Sequence, residues 1–407
     1  MLKFPDNFFW GAATSSYQVE GSNRLSDWWQ WEEEGKLKYK SGLACRHYEL
    51  YKEDFDLAKS LSHNAHRLSI EWSRIEPREG EFSSKEIAHY VDVVTALKER
   101  GIEPVITLHH FTNPAWFTDK GGWLHKKAPE YFLRYTEKIV EALCNKVRFW
   151  VTINEPMVYS YHAYVIGIWP PMKKSISNLE KIGNVFVKSH ILAYRSIHNI
   201  YRKNNLKPPY VSVSKNMQCF EPIDCSFKNI LAVKLRNKIF NFAVIEKMIR
   251  EKTLDFIGLN YYTRQVADVK SFNRYRLLTD ICMKKTSDIK KNYLGWDVYP
   301  EGLYRLFLKL KKYNLPIFIL ENGICTTQDN ERWEFIREHL KFIHKAISSG
   351  VKVIGYLYWS LLDNFEWHEG FSPRFGLIEV DYNTYKRTVR ESAKKYSHVC
   401  KTGELAP

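Results

Sequence analysis

The feature that most constrains this chain is a recurrence: a short run rich in β-branched and aromatic residues, followed by a longer stretch with helical periodicity. The spacing predicts strands over Phe9–Thr14, Ala65–Ile70, Pro104–His109, Phe149–Asn154, Tyr210–Ser214, Asp255–Asn260, Pro316–Glu321 and Lys352–Trp359. Helical stretches are expected at Glu49–Leu61, Ser84–Arg100, Glu130–Lys146, Val185–Asn204, Phe240–Arg250, Pro300–Lys312 and Arg332–Ser349. Gly101 and Gly350 fall where a helix should stop before the next strand. Strands alternating with helices in this way point to a closed parallel (β/α)8 barrel, a TIM barrel, formed by residues 1–407 as a single domain. An open doubly wound sheet is the rival arrangement. It usually carries a glycine-rich phosphate loop after its first strand, and none is visible here.

In a barrel of this kind the chemistry sits at the C-terminal ends of the strands. The fourth run ends Thr152-Ile153-Asn154-Glu155-Pro156 and the seventh ends Leu320-Glu321-Asn322-Gly323. The third ends His109-His110, the sixth Asn260-Tyr261-Tyr262, and the second contains Arg67. A single Glu after a strand is most often a surface or helix-start carboxylate. Two such Glu, accompanied by Asn154, Asn260, Arg67, His110 and Tyr262, form a pattern that looks across a barrel mouth. The pair suits acetal hydrolysis: one carboxyl protonates the leaving oxygen and the other attacks the anomeric carbon, the two being about 5–5.5 Å apart when configuration is retained. A cation beside the attacking carboxylate favours its ionised form, and Arg67 is the candidate. Tyr262 is placed to donate to the same group.

Aromatic residues supply the second clue. The chain holds 13 Trp, 25 Tyr and 23 Phe. Most belong to the core by default, but Trp116, Trp123, Trp169, Trp296, Trp359 and Trp367 cluster with polar residues in probable loops. The segment Trp359–Trp367 mixes stacking rings with Asp363, Asn364 and Glu366 at the end of the eighth run, the combination that binds a pyranose.

Other readings are narrowed by composition. Charged residues make up 26 % and hydrophobic ones 44 %, which excludes global disorder. The net charge of +15 raises polyanion binding, yet the basic residues are dispersed, with only short clusters such as Lys284-Lys285 and Lys290-Lys291. No nucleic-acid partner is therefore expected. The N-terminus lacks an uninterrupted apolar segment and no window has the length of a membrane span, so no membrane partner and a cytoplasmic location are expected. The seven cysteines, Cys45, Cys144, Cys219, Cys225, Cys282, Cys325 and Cys400, are odd in number and contain no CxxC pair; free thiols are expected. No metal motif such as HExxH occurs, and no metal or cofactor is expected.

The quoted segments resemble glycoside hydrolase family 1, the β-glucosidase and β-galactosidase family. The resemblance runs from Phe8-Phe9-Trp10-Gly11-Ala12-Ala13-Thr14-Ser15-Ser16-Tyr17-Gln18-Val19-Glu20-Gly21 to Arg374-Phe375-Gly376-Leu377 and Asp381-Tyr382. It implies a retaining, exo-acting β-glycosidase of β-glucosidase type, with β-galactosidase or β-fucosidase activity alongside. Its substrate would be a β-glycoside or oligosaccharide. The resemblance further implies that Glu155 is the general acid/base and Glu321 the nucleophile. It implies that Gln18, His110, Asn154, Glu366 and Trp367 bind the sugar hydroxyls and that Trp359 lies beneath the sugar. Arg67, Asn260 and Tyr262 would orient the nucleophile, Trp169 and Trp296 would wall the leaving-group side, and Phe375 would line the substrate site.

The chain departs from the family at His109-His110-Phe111, where Tyr-His-Trp is frequent, and in its short segments after Gly21 and over Trp169–Lys181. Shorter loops would make the site shallower and its leaving-group side more open. Retention of Glu155 favours O-glycosides over thioglycosides, and Glu366 would repel a sugar phosphate. A sugar-binding barrel with little hydrolysis is the alternative. It would not need both glutamates.

Overall fold

In the computed structural model, which describes residues 1–279 and 289–406, eight parallel strands close into a barrel. They are β1 (Phe9–Ala13), β2 (Ala65–Ser69), β3 (Glu103–His109), β4 (Phe149–Asn154), β5 (Tyr210–Asn216), β6 (Ile257–Asn260), β7 (Ile317–Asn322) and β8 (Val353–Trp359). Each strand pairs with its neighbours in chain order and β8 closes on β1, with Gly355 opposite Phe9 and Trp359 opposite Ala13. Every expected strand is present. The largest differences are at β5, which continues through Lys215 and Asn216, and β6, which starts only at Ile257.

The principal helices on the outer face are α1 (His47–Ser60), α2 (Ser84–Glu99), α3 (Ala128–Leu143), α4 (Ser177–Lys203), α5 (Ala243–Arg250), α6 (Pro300–Leu310), α7 (Asp329–Ser348) and α8 (Glu391–Thr402). Amphipathic spacing explains their docking. In α3, Tyr131, Phe132, Tyr135, Ile139, Val140 and Leu143 recur at helical intervals and are all buried. Gly101 and Gly350 take the left-handed conformation just beyond α2 and α7, as expected of helix-ending glycines. α4 begins well before Val185, at Ser177. Between β5 and α5 lies an excursion that periodicity did not reveal. It consists of a helix at Phe227–Arg236, a π-helical turn at Asn237–Phe242, and a strand at Cys219–Pro222 that pairs with Arg264–Ala267.

The lower barrel interior is a plug of Ala65, Val105, Phe149, Val151, Phe256, Phe318, Leu320 and Leu357. Phe9 stacks on Phe318 at 5.6 Å and meets Phe149 edge-on at 5.2 Å. This plug fills the N-terminal half of the barrel, so only the C-terminal mouth is open to a ligand. The six described cysteines are free thiols; Cys282 and the Lys284-Lys285 pair lie outside the described residues. Among the described residues no helix is long and apolar enough to cross a membrane.

Candidate active site

At the mouth, β4 and β7 deliver the two glutamates. Glu155 follows β4 directly, with a left-handed backbone (φ 41°) and its amide bonded to the Ser214 carbonyl at 2.7 Å. Phe111 (φ 70°) and Trp367 (φ 53°) share that conformation. Three non-glycine residues in a conformation that costs about 1–3 kcal/mol each mark a wall whose side-chain directions are set by its surroundings. Glu321 lies within β7, opposite Asn260 in the register of β6. Gly323 follows for a steric reason: a Cβ there would come within 1.9 Å of the Trp359 carbonyl oxygen.

The surroundings of Glu321 are charged and tightly bonded. The Arg67 guanidinium, fully buried on β2, donates through Nη1 to Glu321 Oε1. It also donates through Nη2 to Asn154 Oδ1 (2.7 Å) and through Nε to Thr107 Oγ1 (2.9 Å). The Tyr262 hydroxyl donates to the other oxygen, Oε2, at 2.6 Å. Burial and the nearby carboxylates push the Tyr262 phenol well above its usual range, so it stays a donor.

Glu155 is held differently. Asn260 Nδ2 (2.7 Å) and Asn216 Nδ2 (3.1 Å) both donate to its Oε1. Its pKa is raised to about 7, first by burial and then by the charge of Glu321, against the lowering effect of these two amides and of Lys215. The expectation that Asn260 orients Glu321 is therefore corrected. Asn260 is opposite Glu321 in backbone register, but Ser214 Oγ donates to Asn260 Oδ1 at 2.6 Å. That bond turns the amide nitrogen toward Glu155. Arg67 and Tyr262 do reach Glu321.

A cavity of about 610 Å3 opens beside the pair. On one side Gln18 Nε2 donates to Glu366 Oε2 (3.1 Å), to Asn364 Oδ1 (3.0 Å) and to the Phe365 carbonyl (2.9 Å). Burial and the charge of Glu321 raise Glu366 to about 8. It is then mostly protonated near neutrality, so the expected repulsion of a sugar phosphate is weaker than a fixed negative charge would give. Asn154 Nδ2 meets His110 Nε2 at 3.1 Å. Because Asn154 Oδ1 already accepts from Arg67, the nitrogen of that amide is the donor, which assigns the His110 proton to Nδ1. That Nδ1 is buried and, among the described residues, has no hydrogen-bond partner. The imidazole stacks between Trp359 (6.0 Å, 19°) and Trp367 (6.2 Å, 13°). Trp359, Trp296, Tyr262 and Phe375 form the opposite aromatic cluster.

Comparison with known proteins accords with this arrangement. The model of glycosyl hydrolase family 1 matches residues 1–251 and 234–405. The chain belongs to glycosyl hydrolase family 1. It is 32 % identical to beta-glucosidase A of Thermotoga maritima, over 99 % of both chains. It is 28 % identical to a beta-galactosidase of Pyrococcus woesei, over 96 % of this chain and 95 % of that one. Among solved structures, a beta-glycosidase from Pyrococcus horikoshii superposes with a TM-score of 0.94 at 40 % identity, covering 100 % of this chain and 96 % of that one. The Thermotoga maritima beta-glucosidase in complex with glucoimidazole gives 0.91 at 30 % identity, with full coverage of both. The protein is accordingly a retaining β-glycosidase.

Within this family 1 barrel, Trp169 lines the cavity beside the two glutamates. It packs on Phe111 (4.9 Å), Trp28 (5.7 Å) and Trp367 (5.8 Å), with its indole N–H donated to His368 Nδ1 at 2.9 Å. Both glutamates are buried in that cavity, Glu155 being 6 % and Glu321 3 % exposed. Two residues that contact Glu155 or bear on its charge, Asn216 and Lys215, were missed. The available signal was the polar run Ser212, Ser214, Lys215 and Asn216 continuing a buried strand.

Proposed function

We propose that Glu321 is the nucleophile and Glu155 the general acid/base of an exo-acting β-glucosidase that also accepts β-galactosides or β-fucosides. The carrying observation is the asymmetry of the pair. A guanidinium and a phenol hold the ionised form of Glu321. Glu155 has two neutral amides on Oε1 and, among the described residues, no donor on Oε2, and burial raises it to about 7. Oε2 is thus the site of the transferable proton.

In the first step Glu321 attacks the anomeric carbon, the glycosidic C–O bond breaks, and the Glu155 proton passes to the departing oxygen. In the second step Glu155 takes a proton from water, the water oxygen bonds to the anomeric carbon, and Glu321 leaves. Gln18, Glu366, His110 Nδ1, Asn154 and Trp367 bind the sugar hydroxyls, and Trp359 lies beneath the ring. The activities for which relatives are named, beta-glucosidase in Thermotoga maritima and Acetivibrio thermocellus and beta-galactosidase in Pyrococcus woesei, support a glucose-type preference with tolerance at one epimeric position. A panel of aryl β-glycosides tests this. The glucoside is expected to have the highest kcat/KM, followed by fucoside or galactoside. A preference for mannoside, or for a 6-phosphoglucoside, would contradict it.

A further inference from the structure

Lys215 is the one lysine of the barrel strands whose side chain is wholly inaccessible, and the mechanism above does not use it. It lies on β5 between Ser214, which aims Asn260 at Glu155, and Asn216, whose amide bonds Glu155. Its ammonium donates to the Asn216 carbonyl and sits 4.3 Å from the ring centroid of Phe240, in the π-helical turn that borders the cavity. Among the described residues it has no salt-bridge partner. A buried cation without a counter-ion is costly, and an aromatic face with one carbonyl compensates only part of that cost.

We propose that Lys215 is a positioning residue for Glu155: anchored between the Asn216 carbonyl and the Phe240 ring, it supports the amide that holds the acid/base and supplies the cation that stabilises this carboxylate once its proton has left. The proposal rests on the assignment of Glu155 as acid/base. It resolves a difficulty of the two-step cycle. Before attack, burial and the charge of Glu321 together keep Glu155 protonated. In the glycosyl-enzyme that charge is consumed in an ester bond, and Glu155 must then persist as a carboxylate in a buried site. Lys215 favours that form. Burial lowers Lys215 to about 7, while the charge of Glu155 opposes the fall. Of the other titratable groups at this site, Glu321 disfavours the ionisation of Glu155 by its charge, Glu366 and Tyr262 add no positive charge, burial favours the neutral form of His110, and Arg67 is engaged with Glu321 and Asn154; the charge of Lys215 favours the Glu155 carboxylate.

The test compares pH profiles of the wild type and Lys215→Met. Loss of the cation is expected to raise the basic limb of kcat/KM for an alkyl β-glucoside by about one pH unit. On a dinitrophenyl β-glucoside, where breakdown of the intermediate limits turnover, kcat below pH 6 is expected to fall about fivefold. Those two changes run in opposite senses, which a general loosening of the site cannot produce. Unmoved limbs, or an equal fall in both parameters at every pH, would overturn the proposal. Should Lys215→Met not fold, Phe240→Leu removes the ring beneath the ammonium and is expected to move the basic limb the same way by a smaller amount; a fixed limb there would also overturn it. The underlying assignment is checked separately by Glu155→Gln, in which the acidic limb of kcat on the dinitrophenyl substrate must vanish.

Discussion

At the end of β7 the protein places a guanidinium on one oxygen of Glu321 and a phenol on the other; at the end of β4 it places two amides on one oxygen of Glu155 and leaves the other open to the cavity. Both carboxylates are buried, and burial pushes Glu155 toward its neutral form. What separates them is the type of donor. A fixed cation stabilises a negative charge throughout the cycle, whereas neutral amides allow the charge to come and go. Two chemically identical side chains in one barrel mouth thereby acquire different tasks.

The comparison is broken most severely at the charged end. Glu321→Gln should lower kcat on an aryl β-glucoside by about 10^5-fold while leaving the fold intact. More than one hundredth of wild-type activity would remove Glu321 from the reaction. Glu155→Gln should cost about 10^3-fold with an alkyl leaving group and far less with dinitrophenolate, which departs without a proton. Added azide should restore part of the rate by replacing the activated water. Equal losses for both leaving groups would deny Glu155 its acid role.

Smaller changes sharpen the division between the two surroundings. Tyr262→Phe withdraws a donor from Glu321 and should lower kcat by about 10–100-fold without moving the basic limb. Asn260→Ala withdraws a donor from Glu155; since that hydrogen bond favours the ionised form, the basic limb should move up by about one unit. If the two variants exchanged these behaviours, Asn260 would belong with the nucleophile after all.

Stability offers a last check on the same asymmetry. Folding raises Glu155 from the ordinary carboxylate range to about 7, so the folded state loses stability as pH rises through that interval. Glu155→Gln lacks this loss. Its advantage over the wild type should be absent below about pH 4, grow up to pH 7, and level off at about 3 kcal/mol, as read from denaturant unfolding. An advantage that did not change with pH would mean that Glu155 is not held protonated by the fold.

Much of this arrangement was legible in the sequence, for identifiable reasons. Each barrel strand is buried, so Phe149–Asn154 and Ile317–Asn322 read as apolar runs, and the glutamates stood out because a charge ended them. What could not be read was the bonding between strands. Asn260 is opposite Glu321 in register, yet the hydroxyl of Ser214, on the neighbouring strand β5 and 46 residues earlier, decides that its amide faces Glu155. Lys215 and Asn216 were lost because alternating serines and a lysine looked like the end of a strand. In fact β5 continues there, with Ser214 and Asn216 turned to the site and Lys215 covered by Phe240.

The central claim, that Glu321 and Glu155 carry separate covalent and proton-transfer roles, is tested most directly by trapping the intermediate. A 2-deoxy-2-fluoro-β-glucosyl substrate with an activated leaving group slows both steps but the second more, so the glycosyl-enzyme accumulates. Peptide mapping by mass spectrometry should then find a single fluoroglucosyl adduct on Glu321. An adduct on Glu155, or turnover with no adduct at all, would contradict the account.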